Sequence, residues 1–282
     1  MAKRQNGIQK TPNPWLVVIG ALAIVAFFGF PYALMFITSL KTRLEVTEIP
    51  PAYFPANPQW SNYLSVWSSE VNPAASLLST VVIAFGATLL VLVVATPAAY
   101  YVARFRFPGR LVFLLLVLIT QMLQPTVLAV GLYQEFRGWQ GYAVWGALIL
   151  INGAFNLSFA IWIMQAFFAS VPKEIDEAAL IDGLGRLQTM FKISLPLVWP
   201  GIVTAIVFVF VNSWNEYAAA LILVQDQNLQ PLTVSMPRFL GLYIQDWQYL
   251  FTVALIAIVP VVILFGIIEK RLIGGLTAGA GK

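Results

Sequence analysis

"KEIDEAALIDGLGRLQTMFKISLP", residues 173–196, carries four of the chain's twelve acidic residues and stands between two long charge-free stretches. Pro172 suits the first turn of a helix, and Glu174 and Asp176 complement the positive end of its dipole. Gly183 is a natural C-terminal stop. The next residues, 185–196, read as a second short helix closed by Pro196. The segment is therefore a polar helix-turn-helix set inside an apolar chain.

The surroundings define the class. Of 282 residues, 60% are hydrophobic and 10% charged, and the mean hydropathy is +0.82, whereas an ordinary soluble domain is about a quarter charged. A helix of about 20 apolar residues crosses the hydrocarbon core of a bilayer. Charge-free runs at 15–40, 71–103, 111–134, 138–172, 193–215 and 247–268 support six such spans, at about 15–40, 74–103, 111–134, 142–169, 197–224 and 247–270. None shows the ten-residue alternation of a transmembrane barrel. The expected fold is an all-α polytopic membrane protein. It has a tail at 1–14, one transmembrane domain over 15–272 interrupted by the polar loop 170–196, and a Gly-rich tail at 273–282 that is too flexible to fold alone.

Positive charge sets the expected orientation, because cytoplasmic loops retain Lys and Arg. Twelve of the sixteen basic residues fall before span one, after spans two and four, and after span six; Lys41, Arg43, Arg137 and Arg238 fall in the alternate loops. Both termini are thus expected in the cytoplasm, and the charge of +4 is explained by topology without nucleic acid. With no Cys and no His, thiol chemistry, disulfides and the usual zinc sites are excluded. The long outer loop, about 41–72, reads as an extended Pro-rich segment running into a short helix near "WSNYLSVW" (60–67). It is either an interfacial aromatic belt or part of a docking surface.

Three polar features interrupt the spans. "TQMLQPT" (120–126) puts Gln121 in mid-span, as a structural kink or a face on an interior path. "NSWNEY" (212–217) ends span five. Glu216 lies about 28 Å along that helix, in outer water or facing a cavity. In the polar island, Glu174 and Glu177 are neighbours while Asp176 points elsewhere, so a metal site is rejected. Ala178 and Ala179 with Ile175, Leu180 and Ile181 make a small-surfaced amphipathic helix suited to a partner's groove, the alternative being a solvated charged face. The terminal Gly-Lys lacks the spacing of a phosphate-binding loop.

The pattern E-A-A-x-x-D-G, followed after nine residues by I-x-L-P, resembles the EAA loop of bacterial ABC-importer permeases. Glu177, Ala178, Ala179, Asp182, Gly183, Ile193, Leu195 and Pro196 fit it, while Leu184 stands where a small residue is commoner. "AAYYVARFRFPGR" (98–110), "WNEY" (214–217) and "GGLTAGAGK" (274–282) extend the likeness to carbohydrate-uptake permeases of the MalG type. The resemblance implies a subunit of the bacterial inner membrane that is no enzyme and binds no cofactor. ATP and Mg would be used by two copies of a cytoplasmic ATPase, beside a second, different permease subunit and an extracytoplasmic solute-binding protein. It places Glu174, Glu177, Ala178, Ala179, Asp182 and Gly183 at the ATPase, with Leu276, Thr277, Gly279 and Gly281 in the ATPase dimer interface. Gln121, Asn212, Trp214, Asn215 and Glu216 are the expected substrate path. Sugars are the first expected cargo, with glycerol phosphate or another polyol-like solute as the alternative. A channel or secondary carrier is the rival class.

Overall fold

In the computed structural model, residues 14–122, 127–241 and 245–279 are described, and they are almost wholly helical with no β-strand among them. In chain order the helices are α1 (Pro14–Ser39), α2 (Arg43–Thr47), α3 (Asn62–Ser65), α4 (Pro73–Arg104), α5 (Arg110–Gln121), α6 (Ala129–Phe136) and α7 (Ala143–Ser170). There follow α8 (Lys173–Ile181), α9 (Arg186–Thr189), a π-helical turn Met190–Ser194, α10 (Leu195–Leu197), α11 (Trp199–Trp214), α12 (Ala218–Leu223), α13 (Leu232–Ser235) and α14 (Trp247–Gly279).

Among the described residues, α1, α4, α7 and α14 are long and apolar enough to cross a membrane, and a bent pair ending in α11 brings the number to as many as five. The remaining expected spans are broken. Where one helix was expected over 111–134, α5 ends at Gln121 and α6 begins at Ala129; the Gln124–Pro125 step of the polar interruption lies outside the described residues. Within 197–224, α11 stops at Trp214 and α12 starts only at Ala218, with the Glu216 carboxylate accepting the Ala219 and Ala220 N–H groups of the new helix. Pro196 does not close the second island helix as the sequence suggested. It sits inside α10, and the chain turns at Val198 by 82° into α11. At the C-terminus α14 runs on to Gly279, through most of the tail expected at 273–282.

The core follows α4. Its small residues Ala95 and Ala99, fully buried, let α7 and α11 approach closely, and Ala160, Met164, Phe168, Ala205 and Val209 fill the space between them. A Cβ on Gly201 would collide with the Phe167 ring, so α11 meets α7 where no side chain fits. Met190 and Val198 join this cluster and seat the polar island on the bundle. At the opposite end Leu148 and Ile151 pack with Ala220, Leu223 and Leu229. Thr80 Oγ1 accepts the Leu232 N–H at 2.8 Å and ties α4 to α13. Residues Trp15 to Phe30 of α1 are exposed throughout, an apolar surface that suits lipid.

Candidate functional site: the polar island and an aromatic-walled pocket

The island is the helix-turn-helix expected at 173–196. α8 ends in a Schellman turn: the Gly183 N–H donates to the Leu180 carbonyl at 3.1 Å and the Leu184 N–H to the Ala179 carbonyl at 3.1 Å. Gly183 adopts φ +87°, the left-handed conformation that this turn requires. The bulk of Leu184 does not disturb the turn, because it follows the left-handed residue. Gln188 Oε1 accepts the Gly185 N–H at 3.2 Å and starts α9.

The two faces of α8 differ sharply. Glu174, Glu177, Ala178 and Asp182 are exposed, as are Leu180 and Ile181, with Ile181 85% exposed; Leu187 of α9 and Phe191 of the π-helical turn are exposed as well. Ala179 turns inward with Asp176. Of the residues assigned to a partner from sequence, Ala179 therefore faces this chain's own core.

Asp176 is the residue whose importance the sequence reading missed. Its Oδ2 lies 2.6 Å from Arg104 Nε, with the two side chains only 10% and 5% exposed. Tyr100 donates its hydroxyl to Oδ2 at 3.2 Å and Ser194 donates to Oδ1 at 2.6 Å. Arg104 Nη1 donates to the Val171 carbonyl at 2.7 Å, at the end of α7. The Nε approach is an ion pair rather than an aligned hydrogen bond, and Nη2 has no hydrogen-bond partner among the described residues. The guanidinium of Arg186 lies 4.9 Å above the Phe105 ring and adds a second tie from α9 to the end of α4. A signal was present in the sequence: Asp176 and Ala179 are three apart and share a face.

The five residues expected on the substrate path do not form one cluster. Gln121, Asn212 and Asn215 are exposed, and the two asparagines donate back to Phe208 and Val211 carbonyls within α11. Trp214 is buried and stacks on Phe210 at 5.3 Å. Glu216 caps α12, accepting the N–H groups of Ala219 at 2.7 Å and Ala220 at 3.1 Å. It also borders a cavity of about 10 Å³, room for one water, with Thr80, Asn152 and Ser213. Polar groups the sequence reading did not single out lie inside α7: Asn152, Asn156 and Ser158 are buried, and Ser158 is 2.6 Å from the Thr120 hydroxyl of α5. Leu276, Thr277 and Gly279 fall within α14, and Gly281 lies outside the described residues.

A larger pocket of about 360 Å³ opens between α6, the start of α7 and the turn after α12. Phe136 and Trp139, in edge contact at 5.2 Å, wall one part; Arg137, Gln140, Gln225 and Asp226 supply polar groups. Among the described residues no group of three or more Asp or Glu could hold a metal ion.

A seated polar island and four or five helices long and apolar enough to cross a membrane define a helical membrane protein. Residues 95–276 match the family model described as binding-protein-dependent transport system inner membrane component, and the chain belongs to that family. It is 32% identical over 253 residues to the sulfoquinovosyl glycerol transport system permease SmoH of Agrobacterium fabrum, covering 90% of this chain and 88% of that one. It is 31% identical to the melibiose/raffinose/stachyose import permease MelC of Bacillus subtilis and 30% identical to the trehalose/maltose permease MalG of Thermococcus litoralis. Each of these alignments covers 95% of this chain and 96% of the relative. Its fold matches a bacterial ABC transporter for the acidic polysaccharide alginate with a TM-score of 0.75 at 19% identity, over 96% of this chain and 98% of that one.

Proposed function

We propose that this chain is the permease subunit of an ATP-driven, binding-protein-dependent importer of a sugar or oligosaccharide, working by alternating access. The observation that carries the coupling part is the two-faced island. One face is seated on the bundle by Met190, Asp176 and Ser194. The other leaves Leu180, Ile181, Glu174 and Glu177 of α8 exposed, an amphipathic helix surface of the kind that fills a partner's groove, and Leu187 and Phe191 of the second arm are exposed too. The partner is a cytoplasmic ATPase present in two copies, which binds the ATP and Mg. Glu177, Ala178 and Asp182 contact it, Gly183 forms the turn, and Ala179 holds the helix to the bundle. The end of α14 at Leu276–Gly279 and the following Gly281 approach the same partner.

The other partners are a second, different permease subunit and an extracytoplasmic solute-binding protein. The distribution of Lys and Arg supports six spans with both termini cytoplasmic. On that orientation the 360 Å³ pocket opens outward. Aromatic faces beside amide, carboxylate and guanidinium groups suit a hydroxyl-rich solute. The names of three relatives, all sugar or sugar-glycerol permeases, point the same way. An anionic or polyol-like solute is the second reading, favoured by Arg137 in the pocket. Gln121, Asn212 and Asn215, exposed on this chain, are available to face the second subunit across a shared path.

The test is Glu177→Lys in the full assembly. The variant is expected at normal level in the membrane, with ATPase co-purification and uptake both reduced about tenfold. Unchanged co-purification and uptake would remove the coupling role.

A further inference from the structure

The island is joined covalently to α7 through residues 171–172 and to α11 through the bend at Val198. Nothing in the chain joins it directly to α4. Yet α4 supplies Tyr100 and Arg104, which hold Asp176 from below, and Arg104 also grips the Val171 carbonyl at the root of the island. The structure assigns to the Arg104–Asp176 pair the role of a latch that makes α4 a third carrier of island motion. This rests on the coupling role proposed above and names the element that receives the movement.

Three observations support the assignment. The pair is buried, so each charge depends on the other: breaking one partner leaves an uncompensated charge that water cannot reach. Such a contact is kept or lost as a unit and passes on displacement rather than absorbing it. Asp176 is also gripped by Ser194 from the second arm of the island, so α8 and the π-helical turn move with α4 together. Finally, α4 continues for 32 residues to Pro73 and carries Thr80, which accepts the Leu232 N–H. One continuous helix thus connects the island to the segment bordering the aromatic-walled pocket. Coupling of this kind needs a physical element that both ends bias, and α4 is one.

Arg104 and Asp176 are positioning residues, and the test separates them from ordinary structural contacts. The chain lacks cysteine, so Lys173→Cys and Arg106→Cys give a unique pair for spin labels on the island and beyond the end of α4. The assembly with its ATPase, second permease and solute-binding protein is reconstituted in vesicles. The unaltered latch should give one narrow label distance, with and without ATP. Asp176→Asn and Arg104→Gln should broaden it, retain the ATPase, and lower solute carried per ATP hydrolysed about tenfold. The exchanged pair, Arg104→Asp with Asp176→Arg, should recover part of both readouts.

A narrow, unchanged label distance in both single variants overturns the latch, as does transport per ATP within about twofold of the unaltered assembly. Loss of the ATPase from both single variants would mark a plain structural contact and also overturns it. The label distance is read also on the full chain in vesicles without the other subunits, so it decides the matter even where the importer reading fails. Uptake by the unaltered assembly tests that reading separately.

Discussion

Glu216 Oε1 accepts the Ala219 N–H at 2.7 Å, so an acid at the end of a long apolar stretch starts a helix with its own carboxylate. Its second oxygen takes the Ala220 N–H, and its backbone carbonyl accepts the Thr233 hydroxyl at 2.7 Å. Glu216→Leu should cost about 1 kcal/mol through loss of the cap, read as a lower melting temperature in detergent. Glu216→Gln keeps one acceptor and should lose less. If uptake by Glu216→Gln collapses while its melting temperature holds, the carboxylate serves the solute path as well as α12.

Gly183 tests the turn alone. A Cβ there meets nothing within 4 Å, so only the left-handed backbone resists substitution. Gly183→Ala should cost about 1 to 2 kcal/mol, and Gly183→Asn less, because asparagine tolerates that region. Hydrogen exchange over 173–196 should rise in that order. Equal protection in all three proteins would separate the turn from the φ of residue 183.

At Gly201 the obstacle is space. Added to α11, a methyl group would collide with Phe167 of α7, and overpacking of this kind costs about 1 to 3 kcal/mol. Gly201→Ala should therefore melt earlier than the unaltered protein, whereas Gly20→Ala on α1, with open space around it, should match it. Matching melting temperatures for Gly201→Ala would show that α7 and α11 separate freely.

Glu45 gives the loop between α1 and α4 a pH dependence. The Thr42 N–H donates to Oε2 at 2.8 Å and the Ala56 N–H to Oε1 at 2.9 Å, and these bonds, Thr42 first, lower its carboxyl below the ordinary carboxylate value. With the folded pKa depressed, the tie is fully present above the unfolded value and is lost as pH falls through the folded one. The Ala56 amide chemical shift should follow that lower midpoint, and Glu45→Gln should abolish the titration. A midpoint at or above that of an unstructured glutamate would contradict the tie.

The island was legible because its signals are local. Pro172, the acids of the first turn and Gly183 each act within four residues, so 173–196 could be read without knowing what surrounds it. The long helices were legible for a similar reason: a charge-free run has one economical conformation in a bilayer. What the sequence hid was pairing across distance. Arg104 looked like one more positive charge at a membrane edge and Asp176 like one more solvated acid, since nothing in either neighbourhood reveals that they are 2.6 Å apart. Trp214 and Glu216 were grouped with Asn212 and Asn215 by adjacency, yet successive residues on a helix point about 100° apart. Trp214 turns inward and the two asparagines outward, while Glu216, half-buried, lies beyond the end of α11.

The 82° bend at Val198 gives the island a mechanical geometry. From Arg186 to Leu197 the chain runs twelve residues as helix, about 18 Å at 1.5 Å per residue. That arm stands nearly at right angles to α11, and Val198 at its elbow is buried in the core. A force applied at the Arg186 end therefore acts as a torque, and the arm and α11 together form a crank whose bearing is the packed bundle around Val198. Under the proposed coupling role, a small tangential motion at the rim turns α11 about its foot at Val198.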